Sequence, residues 1–261
     1  MNLYKGILIH RRSIGDDFLD VVDDGPFRSL HFNSLSIQSR MQRSEPARLV
    51  LEYTRAMMLG LAIAPAPRRV LMIGLGGGSQ VRFLLEHYPD CEIDAVEIQP
   101  AVTELAQRFF ALPHSPRLRI HHMDATAFVQ QYSDGPAYDL ILIDAFDRSG
   151  PVSSIFEEHF LTGLRALMAP AAACAINMWK TDAREYAEIW TRVESCLQAE
   201  IYDVSLTEDP ENLVMLASPQ ALAGKDLLRN CKRLEKNTGL KLTRHLERLA
   251  KLSLSRADTM A

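Results

Sequence analysis

The chain has 261 residues, 47% of them hydrophobic and 24% charged, with a formal net charge of −4 and a pI near 6.1. That composition builds a soluble core without staples and lacks the overall basic field that nucleic-acid binders use, so no nucleic-acid partner is expected. Cys91, Cys174, Cys196 and Cys231 are far apart and form no CxxC pair, which argues against a metal site and against a disulfide framework. No leader pattern opens the chain and no long apolar run crosses it, so no membrane partner and a reducing cytoplasm are expected.

Taken in order, residues 1–40 read as short strands at Gly6–His10, Phe18–Val22, Phe27–Phe32 and Leu35–Gln38, with strong turn chemistry at Asp23-Asp24-Gly25-Pro26. This predicts a small antiparallel β element over 1–45. Apolar spacing then predicts a helix over 46–64, stopped by Pro65 and Pro67. Strand and helix signals alternate from there: strand 70–73, helix 79–87, strand 92–97, helix 100–110, strand 118–121, helix 124–132, strand 138–143, helix 153–168, strand 171–177. Such alternation predicts an α/β fold with a mostly parallel sheet covered on both faces, Rossmann-like and of the methyltransferase type, over 46–218. A helix at 182–198 and a close strand pair at 200–206 and 212–217 end it. Residues 219–255 read as a helical extension in which Lys225, Arg229, Lys232, Arg233, Lys236, Lys241, Arg244, Arg248 and Lys251 form a solvated basic face.

The chemistry gathers at the strand tips. Gly74, Gly76, Gly77 and Gly78 follow the first core strand, and a glycine turn there lets a ligand approach bare backbone. The spacing is GxGGG, and Ser79 stands where a dinucleotide fingerprint needs its last glycine. An adenosylsulfonium compound fits this spacing better than a nicotinamide or a flavin; a glycine turn that binds nothing is the alternative. Glu97 ends the second strand, about 20 residues on, where an acid accepts hydrogen bonds from a ribose diol. Asp124 follows the third strand and, taken alone, reads as a helix N-cap. Asp144 and Asp147 follow the fourth, where paired carboxylates hold a cationic amine and one takes its proton. Asp139, at the start of its strand, reads as structural, and His121 and His122 carry no assigned role.

These residues resemble the spermidine synthases (polyamine aminopropyltransferases), whose motifs run GGGDG, an acid after the second strand, a GDG-like element and DSSDPxGPxxxLF. Here they read GLGGGSQ, VEIQP, MDATAF and Asp144-AFDRSGPVSSIF, with Asp144, Asp147, Gly150, Pro151 and Phe156 in step. LHFNSLSIQS is similar to the family's LDGxIQ segment and matches Gln38, so the resemblance spans residues 16–180. It implies that Glu97 binds the ribose, Asp124 the adenine amino group, and Gln38 the donor. Asp144 is then the base and Asp147 holds the polyamine. It also implies a homodimer acting on a small-molecule amine, with decarboxylated S-adenosylmethionine as co-substrate.

Three departures qualify it. Ser79 replaces the aspartate of GGGDG, which favours ordinary S-adenosylmethionine as the donor. Glu52-Tyr53-Thr54 occupies the place of the family's YHE, making Tyr53 a shifted catalytic tyrosine or a packing residue. Arg148 replaces the proline of SDP and competes for Asp147. Methyl transfer, or a non-catalytic nucleoside-binding or dimer-partner role, are therefore the alternatives. Tyr53, Phe146 and Trp179 can wall a sulfonium pocket, though core packing is the commoner fate of such residues.

Overall fold

The computed structural model describes residues 4–135, 137–147, 150–208 and 210–249. Four antiparallel strands in the order β1-β2-β3-β4 come first: β1 (Ile7–Ile14), β2 (Asp17–Asp24), β3 (Phe27–Phe32) and β4 (Ser39–Gln42). The fourth lies later than the expected Leu35–Gln38. Asn33 takes a left-handed turn at φ 47°, so 33–38 is spent as a bend before Ser39 pairs with Leu30.

The expected helix over 46–64 is also shorter than its apolar spacing suggests. Residues 46–51 are non-helical, and only α1 (Glu52–Met57) and α2 (Gly60–Ile63) are helical. Between them the hydrogen bonds tighten to i−3, from Met58 N–H to Arg55 and from Leu59 N–H to Ala56. Gly60 then lets α2 press on the sheet, since a Cβ there would stand 2.6 Å from Leu140 Cδ1.

The main sheet has seven strands in the order β12-β13-β11-β8-β5-β6-β7. Its elements are β5 (Arg69–Ile73), α3 (Ser79–His87), β6 (Glu92–Val96), α4 (Pro100–Phe109), β7 (Leu118–His121), α5 (Ala125–Gln131) and β8 (Tyr138–Ile143). A two-residue hairpin follows, β9 (Phe146–Asp147) with β10 (Gly150–Pro151), and then a 3-10 turn Ser153–Phe156 before α6 (Glu158–Leu167), so the expected helix over 153–168 is split. β11 (Met168–Trp179), α7 (Ala183–Leu197) and the antiparallel pair β12 (Glu200–Ser205) and β13 (Asn212–Ser218) complete it. Side chains alternate across the sheet. Val70 and Met72 enter a core with α1, α2, α3 and the C-terminal helix, and Leu71 and Ile73 enter a second core with α5, α6 and α7. Asp139 is structural as expected, its carboxylate accepting the N–H groups of Arg68 and Arg69. No helix among the described residues is long and apolar enough to cross a membrane.

The C-terminal extension is two helical pieces, α8 (Gly224–Thr238) and residues 243–249, broken at left-handed Gly239. Leu227, Cys231 and Leu234 face inward. The second piece is clasped to α1: buried Glu52 accepts the N–H groups of Thr207 and Glu208 and the Arg248 guanidinium. His245 is buried 3.9 Å from the same carboxylate, and neither of its ring nitrogens has a hydrogen-bond partner among the described residues.

Burial works against the Glu52 carboxylate, but these donors outweigh it and hold its pKa at about 2; burial holds the His245 imidazole at about 4. Both groups titrate lower in the folded state than unfolded. The stability they contribute is therefore present above pH ~6.5 and is lost as pH falls, first through His245 and then through Glu52. Glu52→Gln should cost about 2–3 kcal/mol in urea denaturation at pH 7 and much less at pH 3. An equal loss at both pH values would remove the clasp.

Candidate functional site

The chain runs outward from β5 to β6 and β7, then returns to place β8 on the other side of β5, so the crevice of this sheet opens at the carboxyl ends of β5 and β8. A cavity of about 450 Å³ lies there, within the range of small-molecule sites. Its floor is the strand tips, with Gly74, Gly76, Glu97, Asp124 and Asp144. Its roof comes from the small sheet, with Ile14, Asp17, Phe18, Asn33 and Gln38. One wall is Phe146, Val152 and Ile155.

The glycine loop divides in two. Gly74 (φ 84°) and Gly76 (φ 52°) line the cavity, and a Cβ on Gly74 would sit 2.2 Å from the Asp144 carbonyl oxygen. Gly77 and Gly78 turn away instead, where a Cβ would strike Ser39 and Leu112 respectively, and the Gly77 N–H donates to Ser39 Oγ at 2.8 Å. These two glycines are required by the protein's own packing. Ser79 is buried behind them at the start of α3 and receives Arg82 Nη2 at 3.3 Å. Arg82 is only 4% exposed and has no ion pair among the described residues. It donates to the carbonyls of Pro46 and Gly77, and burial lowers its pKa to about 10.

Glu97 is fixed by backbone. One oxygen accepts the Leu75 N–H at 3.1 Å and the other the Gln99 N–H at 2.9 Å. Burial raises its pKa, with the peptide N–H groups of Gln99, Leu75 and Gly76 opposing. Asp124 caps α5 through Oδ1, which accepts the Thr126 and Ala127 N–H groups, and the residue also lines the cavity. Asp144 has its pKa raised to about 6 by burial, which outweighs hydrogen bonds from Asn177 and Tyr53. The Tyr53 hydroxyl lies 3.3 Å from the Gln38 carbonyl, and its one proton serves either that oxygen or the Asp144 carboxylate. The side chain of Asp147, and Arg148 with it, lie outside the described residues.

Three polar residues of the site carry no sequence signal of their own. Asn177 Nδ2 donates to Asp144 Oδ1 at 2.8 Å, and Asn212 Nδ2 donates to Asn177 Oδ1 at 3.1 Å. Asp17 faces the cavity from the roof and accepts Asn33 Nδ2 at 2.9 Å. Trp179 is not a core residue. It is 38% exposed and sets its ring 5.7 Å from that of Phe146, beside the wall. His121 bonds Asp94 and His122 bonds Thr103, away from the cavity lining.

Comparison with known proteins points the same way. The chain is 32% identical over 234 residues to the polyamine aminopropyltransferase of Chromobacterium violaceum, covering 88% of each. It is 30% identical over 154 residues to the human eEF1A lysine and N-terminal methyltransferase, covering 52% of this chain and 22% of that protein. A probable spermidine synthase from Corynebacterium glutamicum superposes with a TM-score of 0.74 at 16% identity, over 86% of this chain and 87% of the other, which speaks for the fold. The spermine/spermidine synthase domain model matches residues 51–181, the segment that holds the glycine loop, Glu97, Asp124 and Asp144, and the chain belongs to that family.

Proposed function

We propose that the protein transfers an aminopropyl group from decarboxylated S-adenosylmethionine to an amine acceptor, with Asp144 as the base. The cavity's charge carries this reading: Asp17, Glu97, Asp124 and Asp144 line it, and among the described residues no Lys, Arg or His does. The reactants carry a sulfonium, the ammonium of the aminopropyl arm and the ammonium of the acceptor, and carboxylates in a half-buried cavity favour all three.

In this reading Glu97 accepts from the ribose diol, the free oxygen of Asp124 meets the adenine amino group, and Gln38 faces the donor arm. The family resemblance adds Asp147, whose side chain lies outside the described residues, as a further holder of the polyamine. The acceptor ammonium gives its proton to Asp144, and the freed lone pair attacks the carbon next to sulfur. The C–N bond forms as the C–S bond breaks with its electron pair on sulfur, leaving a neutral methylthioadenosine and a charged secondary amine. Alignment of donor and acceptor supplies most of the rate. Family membership adds the proposal of a cytoplasmic homodimer working on small amines.

A second reading has its own observation. Ser79 removes an acid from the glycine loop, and Arg82 behind it is a buried cation with no ion pair among the described residues. Both favour a donor that keeps its carboxylate, hence methyl transfer from S-adenosylmethionine, the class to which the human relative's name belongs. Incubation with each donor and a panel of diamines and polyamines separates the two. Aminopropyl transfer yields methylthioadenosine in step with alkylated amine, from the decarboxylated donor only. Adenosylhomocysteine formed from S-adenosylmethionine alone would overturn it.

A further inference from the structure

We infer that Asn177 and Asn212 form a positioning relay that fixes which oxygen of Asp144 is presented to the acceptor amine; this rests on the reading of Asp144 as the base. β8 and β11 run parallel with Ile143 opposite Ile176, so Asn177 follows on β11 just as Asp144 follows on β8. Asn212, the first residue of β13, is opposite Trp179 in the antiparallel pairing with β11.

The two amides are 2% and 6% exposed, and both lie in strands whose neighbours are buried apolar side chains. An amide in such a place is unfavourable unless its groups are satisfied. An ionised carboxylate only accepts, so Asn177 must turn its NH₂ toward Asp144, which leaves its carbonyl in need of a donor. Asn212 is that donor, and each bond in the series polarises the next. Asp144 Oδ1 is thereby held from the β11 side, and the rest of the carboxylate faces Tyr53 and the cavity.

The other titratable groups around Asp144 are Tyr53 on α1 and, lining the same cavity, Asp17, Glu97 and Asp124. Asn212 bonds Asn177 and Asn177 bonds Asp144, and this series is the hydrogen-bonded route by which a change at Asn212 reaches the base.

The test is a double-mutant cycle of Asn177→Leu and Asn212→Leu, read by steady-state kinetics across pH, by calorimetry with the donor, and by the ¹³C titration of the Asp144 carboxyl. Donor affinity should stay within about twofold of wild type. Asn177→Leu should lower kcat by about 100-fold, the scale of a misplaced reacting group, and Asn212→Leu by about 5- to 10-fold. In both, the carboxyl titration and the acid limb of kcat/KM should move to higher pH, and the double variant should be no slower than Asn177→Leu alone.

A wild-type pH profile and titration in Asn212→Leu, or additive losses, would overturn the relay. If either leucine variant fails to fold, Asn177→Ser and Asn212→Ser carry the same comparison. Full activity in Asp144→Asn would instead overturn the reading of the base; the carboxyl titration reports on the relay in either event.

Discussion

Asp144→Asn is expected to lower kcat/KM for amine alkylation by about 10²- to 10⁴-fold, the range spanned by positioned proton acceptors, with donor affinity changed only a few-fold. Burial lifts the Asp144 pKa to about 6, so the wild-type profile should rise with pH up to about 6 and then level, and the variant should lose that limb. A free alkylammonium holds its proton far more tightly than such a carboxylate. The same desolvation that raises Asp144 lowers the pKa of an amine bound beside it, and this narrows the gap.

The stability change runs the other way. Asp144 titrates higher folded than unfolded, so its contribution is present below pH ~3.8 and is lost as pH rises through about 6. At pH 7.5 the wild type therefore carries a destabilising charge, and the Asn variant should be more stable by about 0.5–2 kcal/mol, a gain typical of relieved active sites. Asn177 still has a carbonyl to which it can donate. The gain should vanish at pH 4. An inactive variant that is also less stable at pH 7.5 would point to collapse of the site rather than loss of a base.

The sequence carries most of this fold because periodicity is local. The runs around Val70–Ile73 and Leu140–Ile143 and the glycine and proline stops put β5, α3, β7 and β8 within a residue of expectation. Glu97, Asp124 and Asp144 are legible for the same reason: a strand tip is visible in one dimension, and in an open sheet the tips share one edge. What lies across the chain is not legible. The bend at Asn33 moves β4 beyond Gln38, and a Cβ on Gly77 would meet Ser39, 38 residues away in the chain. Asn177 shows only as one amide in an apolar run, and its pairing with Asn212 spans 35 residues. Asp17 lies in a segment whose role as a roof depends on how the small sheet packs. The helix expected over 46–64 fails because its apolar spacing reflects two short pieces packed on β11 and β13.

Calorimetry with the two donors should show the decarboxylated form binding at least tenfold more tightly than S-adenosylmethionine, about 1.4 kcal/mol. Among the described residues four carboxyl-bearing side chains and no basic one line the cavity, so a donor carboxylate meets like charge while an ammonium does not. Ser79→Asp, which restores the family's acid, should shift this ratio by less than threefold, because the new carboxylate lies within reach of buried Arg82, which has no ion pair among the described residues, and forms one there. The thermal midpoint should rise instead. Only Ser79→Asp combined with Arg82→Gln frees that charge for the donor arm, and the ratio should then widen by a further tenfold. Should wild type prefer S-adenosylmethionine, and Arg82→Gln alone reverse that order, the buried guanidinium is the donor-selecting charge and methyl transfer replaces aminopropyl transfer as the reaction of this site.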